Sequence, residues 1–209
     1  MKAEIFILCA GRGSRLPQLR APKQLTPVAD STILGRTLAV LTETPFAPVT
    51  LAIPKGNHAL RDAAAVSRTI RVLEIEANGC IGETIERAVE ASHTEDLLFL
   101  LGDVCWSRRA LGLFLLAATE PHAVLYGRLG PSSATGKTHG EIFALSAGRS
   151  WLRALPLSAV QRLWNFRALG ARMVQAPSDD WTDDIDTADD LEKIVPRWNA
   201  FIGAQGKAA

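Results

Sequence analysis

The chain has 209 residues, of which 47% are hydrophobic and 22% charged, and its formal net charge is +1. These values fit one globular domain with an ordinary core. They exclude a whole-molecule electrostatic argument for nucleic acid or an anionic membrane as partner, so any basic patch must be local. Cys9, Cys80 and Cys105 are widely spaced and contain no CxxC pair. That pattern argues against a disulfide framework or a zinc ribbon and fits a reducing cytoplasm. The opening run "IFILCA" is too short for a signal-peptide core, and "LGLFLLAA" (111–118) is far below the about 18 residues that span a bilayer. A soluble cytoplasmic protein is expected.

In chain order, the first strand candidate is "EIFILCA" (4–10). A helix, "STILGRTLAVLTE" (31–43), follows, with Ser31 as the cap candidate and Ile33, Leu34, Leu38 and Leu41 on one face. Strands are then expected at "VTLAIP" (49–54), "TIRVLEI" (69–75), "DLLFLLG" (96–102), "HAVLYGRL" (122–129), "GEIFALS" (140–146) and "ARMVQAP" (171–177). Several are continuously apolar, as in strands covered on both faces of a largely parallel sheet. Further helices read at 81–93, 107–119 and 157–169, and at 187–203, where Pro196 interrupts or kinks the last one. The βαβα rhythm over the first 120 residues predicts an α/β, doubly wound, Rossmann-like fold. Hairpin-like strands after it predict a mostly parallel mixed sheet. We read 1–203 as one domain, with two halves (about 1–120 and about 121–186) and a tail at 204–209.

In such folds the ligand sits beyond the carboxyl ends of the strands. "GRGSR" (11–15) follows the first strand directly, and Arg12, Arg15, Arg20 and Lys23 fall within one short span. Glycine lets backbone N–H groups approach an anion. A dinucleotide fingerprint would need glycine at position 16, where Leu16 stands. "GPSSATGKT" (130–138) imitates a Walker A loop but has five residues between its glycines instead of four, and a strand pattern follows it. The segment 11–23 is therefore a glycine loop with a basic arm, and Pro22 gives Lys23 a rigid origin.

Two acidic stations follow. Asp103 ends an apolar strand in "LLFLLGDVCW" (97–106), an expensive place for a carboxylate that has no partner. In "DDWTDDIDTADDLE" (179–192), Thr187 and Asp190 read as a capping pair, which leaves Asp184 and Asp186 unexplained. If the segment is extended these two point to opposite sides, so one of them is expected to bind. Magnesium suits such hard oxygen ligands, with phosphates and water completing its shell. His58, His93, His122 and His139 show no zinc spacing.

"LCAGRGSRL…PKQLTPV" followed by a helix resembles the nucleotidyltransferase family. That group includes sugar-1-phosphate nucleotidyltransferases, methylerythritol-phosphate cytidylyltransferase and the MobA-like molybdenum-cofactor nucleotidyltransferases. The resemblance implies a GT-A-type fold and transfer of an NMP from an NTP (CTP or another) to a phosphorylated small molecule, of EC 2.7.7 type. It implies that Cys9, Ala10, Gly11, Arg12, Gly13 and Ser14 bind the nucleotide and that Arg15 and Lys23 act in catalysis. It places Gly79, Gly82, Glu83 and Thr84 near base and ribose, and makes Asp103 with Asp184 or Asp186 the Mg²⁺ ligands, Asp184 being favoured. Trp106, Tyr126, Arg128, Lys137 and Glu141 are expected near the acceptor by position alone, while Trp151, Trp164 and Trp181 suit core or interface roles. An oligomer is compatible with all of this. Competing readings are a GT-A-type glycosyltransferase using "DID" (184–186) and a non-catalytic nucleotide-binding regulatory domain.

Overall fold

The apolar run at the start of the chain folds as strand β1 (Glu4–Leu8), buried at every position. The structure, a computed structural model, describes residues 3–11, 16, 19, 21–42, 47–65, 69–76, 80–119 and 122–205. After β1 come the short strands β2 (Pro27–Val28) and β3 (Ser31–Thr32), helix α1 (Ile33–Thr42), β4 (Val49–Pro54), α2 (His58–Ala64) and β5 (Ile70–Ile75). Then follow α3 (Ile81–Ala91), β6 (Asp96–Leu101), β7 (Val104–Cys105), α4 (Arg108–Ala117), β8 (Val124–Arg128) and β9 (Glu141–Gly148). The chain continues through α5 (Arg149–Arg153), α6 (Asn165–Ala168), β10 (Arg172–Gln175), β11 (Asp183–Asp184) and α7 (Ala188–Gln205).

All seven strand candidates lie in one sheet, ordered β10-β8-β9-β6-β1-β4-β5. β5, β4, β1 and β6 run parallel, β10 runs parallel to β8, and β9 is antiparallel to both of its neighbours. The sheet is thus mixed and mostly parallel, as expected. From β1 the chain steps outward to β4 and β5 and then returns to β6 on the other side of β1. That reversal opens a crevice at the carboxyl ends of β1 and β6, where α/β folds bind ligands.

Both faces of the sheet are covered. Along β1, Ile5 and Ile7 join one apolar cluster while Phe6 and Leu8 join the other. This explains why the run is apolar at every position and not at alternate ones. A third cluster, containing Val28, Ile33, Trp181 and Trp198, packs α7 beside the β2–β3 hairpin and the acidic segment. Trp198 Nε1 donates to the Trp181 carbonyl at 2.9 Å, pinning the helix to that segment.

Several helix expectations change in detail. Ser31 belongs to β3, and the Thr32 hydroxyl accepts the Gly35 N–H at 3.0 Å in its place. Ser107 caps α4, its hydroxyl accepting from Ala110 N at 2.9 Å. The helix expected at 157–169 is broken into a 3-10 turn at Leu157–Ala159 and the short α6. Tertiary bonding overrides the helical pattern there, because the Val160 carbonyl accepts the Gly82 N–H at 2.9 Å. Helix α7 runs through Pro196 without interruption. Helix α2, capped by the Asn57 side chain on Leu60 N, had no counterpart among the expected helices.

Gly82 shows how tightly α3 meets this broken segment. A Cβ there would lie 1.8 Å from the Leu157 carbonyl oxygen. Gly82→Ala is expected to cost about 1–3 kcal/mol by overpacking. Urea denaturation measures it; an unchanged midpoint would mean that the 157–160 segment yields freely. Among the described residues no helix is long and apolar enough to cross a membrane. The three cysteines are buried and free.

Candidate active site

Two short features at the crevice bring distant parts of the sequence together. Beyond β6 the chain turns at Gly102–Asp103 and enters β7, which pairs antiparallel with β11, Asp184 opposite Val104 and Asp183 opposite Cys105. This two-rung ladder sets the late acidic segment beside Asp103. Beyond Pro22 the chain forms a 3-10 turn, Lys23–Leu25, that aims Lys23 at the same point. The Lys23 ammonium ion-pairs with Asp103 and with Asp186 (2.9 Å), and it donates to the Ile185 carbonyl at 3.1 Å.

Carboxylate oxygens of Asp103, Asp184 and Asp186 lie within 4.8 Å of one another. Asp184 and Asp186 both reach this point, although in an extended segment they would point to opposite sides. Strand β11 ends at Asp184, and the backbone then turns into the cap of α7. Asp190 accepts from Asp186 N and Thr187 N at 2.8 Å each, while Thr187 Oγ1 accepts from Asp190 N at 3.1 Å. This reciprocal cap ends the extended geometry that would have sent Asp186 to the far side.

Behind the cluster stands a buried frame. Arg128 and Asp183 form an ion pair at 3.0 Å, with side chains 1% and 0% exposed. The guanidinium also donates to the carbonyls of Gly130 (3.0 Å), Thr182 (3.3 Å) and His139 (3.4 Å). Removing one partner of a buried pair strands the other charge. Asp183→Asn is therefore expected to lower stability by about 3–5 kcal/mol. Urea denaturation tests this; a loss well below that range would mean Arg128 finds another countercharge.

The electrostatics are lopsided. Among the described residues, the five carboxylates Asp103, Glu141, Asp183, Asp184 and Asp186 contact three cationic side chains: Lys23, Arg128 and Lys137. Burial raises the Asp184 carboxyl well above its ordinary value; Lys137 opposes this, and Glu141, Asp186 and Asp103 reinforce it. Burial would lower the Lys23 ammonium, but Asp103 and Asp186 outweigh it and leave its pKa above the ordinary value. Such a site favours added positive charge. Opposite ligands in a magnesium shell stand about 4 Å apart, so three carboxylates in this spread match a hard divalent cation.

The cluster opens into a cleft of about 580 Å³. Ala10, Gly11, Lys23, Thr84, Asp103, Asp184 and Asp186 line it, bringing together most of the described residues expected at the site. Gly82 and Glu83 are not among the lining residues, and Gly82 serves the packing of α3. Cys9 donates its N–H to the Ala52 carbonyl and is 1% exposed; it joins the apolar core and is not among the lining residues. Arg12, Gly13, Ser14, Arg15, Arg20 and Gly79 lie outside the described residues. Of the residues expected near the acceptor, Trp106, Tyr126 and Arg128 are buried in the interior, with Trp106 stacked on Tyr126, and are corrected to structural roles.

Reasoning from sequence missed Trp164, Gln161 and Arg162, which form a wall of the cleft where 157–169 departs from helix. It also missed His139, exposed in the cleft and 3.0 Å from Glu141. Trp151 packs against Phe166, and Trp181 is buried with Trp198.

A family model described as the MobA-like NTP transferase domain matches residues 5–173. The chain belongs to this family of nucleotidyltransferases. A curated relative, the bifunctional protein GlmU of Azotobacter vinelandii, is 33% identical over 104 residues, which is 50% of this chain and 22% of GlmU. The matched part is thus about a fifth of that relative's length. Among solved structures, the Mycobacterium tuberculosis Rv0371c homologue from Mycobacterium sp. strain JC1 superposes with a TM-score of 0.73 at 19% identity, over 96% of this chain and all of that one. The inositol-1-phosphate CTP transferase of T. maritima gives 0.69 at 13% identity, over 94% and 95% of the two chains. At these identities the two structures speak for the fold, which is that of GT-A-type nucleotidyltransferases.

Proposed function

We propose that this protein is a Mg²⁺-dependent cytoplasmic nucleotidyltransferase that joins an NMP from an NTP to a phosphorylated small molecule, such as a sugar phosphate or phospho-alcohol. The observation that carries the reading is the convergence of Lys23, Asp103, Asp184 and Asp186 at one end of the β1–β6 crevice. Family membership and the name of the inositol-1-phosphate CTP transferase support the reaction type.

An oxygen of the acceptor phosphate attacks the α-phosphorus, a new P–O bond forms, and the bond to the β-phosphate breaks as pyrophosphate leaves. The acceptor is already ionised, so no protein nucleophile or general base is needed. Lys23 neutralises charge developing at the α-phosphate, and alignment within the cleft supplies much of the remaining acceleration. Asp103, Asp184 and Asp186 would hold a divalent cation, which supplies further charge neutralisation when bound. Gly11 to Ser14 wrap the triphosphate with Arg15 assisting, Thr84 lies toward base and ribose, and the 121–186 half carries the acceptor side.

A screen of four NTPs against phosphosugars, phospho-alcohols and phosphonates, read by pyrophosphate release with and without Mg²⁺, tests the proposal. Mg²⁺-dependent release with at least one pair is expected. Silence across the panel despite tight NTP binding would favour a regulatory domain. Nucleoside diphosphate released from a sugar nucleotide would favour a glycosyltransferase.

A further inference from the structure

The segment "GPSSATGKT" looks like a phosphate loop, yet the strand β9 follows it and its lysine faces inward. Lys137 is 7% exposed and is not among the residues lining the cleft. Its ammonium contacts the Asp184 carboxylate and the Asp184 carbonyl (3.3 Å), and it lies 3.6 Å from both Asp183 and Glu141. Oxygen partners thus surround its three N–H groups, and a buried lysine is costly unless so paired.

The loop carrying Lys137 is held firmly. Ser132 N donates to the Lys137 carbonyl at 2.8 Å, and Gly136 N donates to the Ser132 carbonyl at 3.0 Å. Gly136 has a φ of +79°, a conformation open to glycine at little cost, and a Cβ there would press on the Arg197 guanidinium. Ser133 donates through both its N–H and its hydroxyl to the Ser178 carbonyl, at 2.9 Å each. The Thr135 hydroxyl donates to the Asp183 carboxylate, and Asp183 in turn accepts the Asp184 N–H at 3.1 Å. The Ser133 and Thr135 ties leave the loop, running to Ser178 and to Asp183, the neighbour of Asp184.

We infer that Lys137 is a positioning residue for the cation site, holding the Asp184 carboxylate from behind so that it faces Asp103 and Asp186. The inference rests on the acidic cluster being a divalent-cation site. Lys23 plays a different part: it lines the cleft and shares the oxygens of Asp103 and Asp186, whereas Lys137 grips Asp184 from the interior side.

The test is equilibrium Mn²⁺ binding to the purified full chain without nucleotide, read from the electron paramagnetic resonance signal of free Mn²⁺. Wild type, Lys137→Met, Thr135→Val and Asp103→Asn are compared, with thermal melts to verify folding. Loss of a residue that orients a ligand typically weakens metal binding by about 10–100-fold, and that is expected for folded Lys137→Met. A lysine acting only as a nearby positive charge gives the opposite sign, because its removal tightens cation binding. Unchanged or tighter binding in Lys137→Met therefore overturns the inference. If Lys137→Met does not fold, Thr135→Val carries the test through the same loop: weaker Mn²⁺ binding supports the inference and wild-type binding overturns it. If Asp103→Asn binds Mn²⁺ like wild type, the cation-site reading falls and the inference with it. If only the Lys137 and Thr135 variants fail to weaken binding, the inference alone falls.

Discussion

Replacing Lys23 by alanine is expected to lower turnover by a factor on the order of 10²–10³, the usual effect of removing one transition-state donor. The ammonium sits within ion-pair distance of Asp103 and Asp186, at the mouth of the crevice where the triphosphate would lie. Its stem leaves the backbone immediately after Pro22, which has a φ of −51°, so little of its geometry depends on a free loop. The same substitution removes a cation that shares oxygens with the metal site. Mn²⁺ affinity in Lys23→Ala should therefore hold or rise while turnover collapses. Steady-state pyrophosphate release and Mn²⁺ titration together give this signature. Normal turnover would remove Lys23 from the mechanism; reduced turnover with reduced Mn²⁺ affinity would recast it as a scaffold for the acids.

Asp103→Asn should abolish divalent-dependent pyrophosphate release and leave the fold intact. The substitution keeps shape and removes one charge from a side chain that is 15% exposed and reaches toward the cleft. Because Asp103 belongs to a cluster of three carboxylates at the cleft, the loss falls on cation binding more than on packing. A melting curve close to wild type, with no release at any Mg²⁺ concentration, is the expected pair of results. Release restored by high Mg²⁺ would mean that Asp184 and Asp186 suffice to hold the ion. A grossly lowered melting temperature would show instead that the Lys23–Asp103 pair supports the fold.

The two lysines make contrasting predictions from similar chemistry. Lys137 is buried and Lys23 partly so, each touches carboxylates, and in each the pKa is lowered by burial but raised overall by those acids. They differ in which side of the carboxylates they occupy, and removing Lys137 is expected to weaken Mn²⁺ binding whereas removing Lys23 is not.

The sheet was readable because its strands carry their own signal. Runs such as 49–54 and 96–101 are nearly continuous apolar stretches, and the structure covers both faces. The placement of Asp103 followed from the same signal, since a carboxylate that ends such a run points into the crevice. The helix expected at 157–169 failed for a reason that lies elsewhere in the chain: Gly82 bonds to Val160, 78 positions away. The joint arrival of Asp184 and Asp186 depended on a capping turn whose residues were recognised but whose effect on direction was not. Lys137 was hidden by its setting, because a "GKT" that fails as a phosphate loop gives no hint of a buried partner 47 residues away. Trp164 and Arg162 reach the cleft only because the helix breaks there, so local periodicity pointed elsewhere.

The amino-terminal basic arm and the two acidic stations are expected to meet on one triphosphate–cation complex. A crystal structure of the chain with a non-hydrolysable NTP analogue and Mn²⁺, phased to show the anomalous signal of manganese, tests it most directly. The predicted result is a manganese peak bonded to Asp103 and to Asp184 or Asp186, with the α-phosphate within reach of Lys23. A nucleotide bound away from the β1–β6 crevice, or a manganese peak that touches neither Asp103 nor the 184–186 segment, would contradict it.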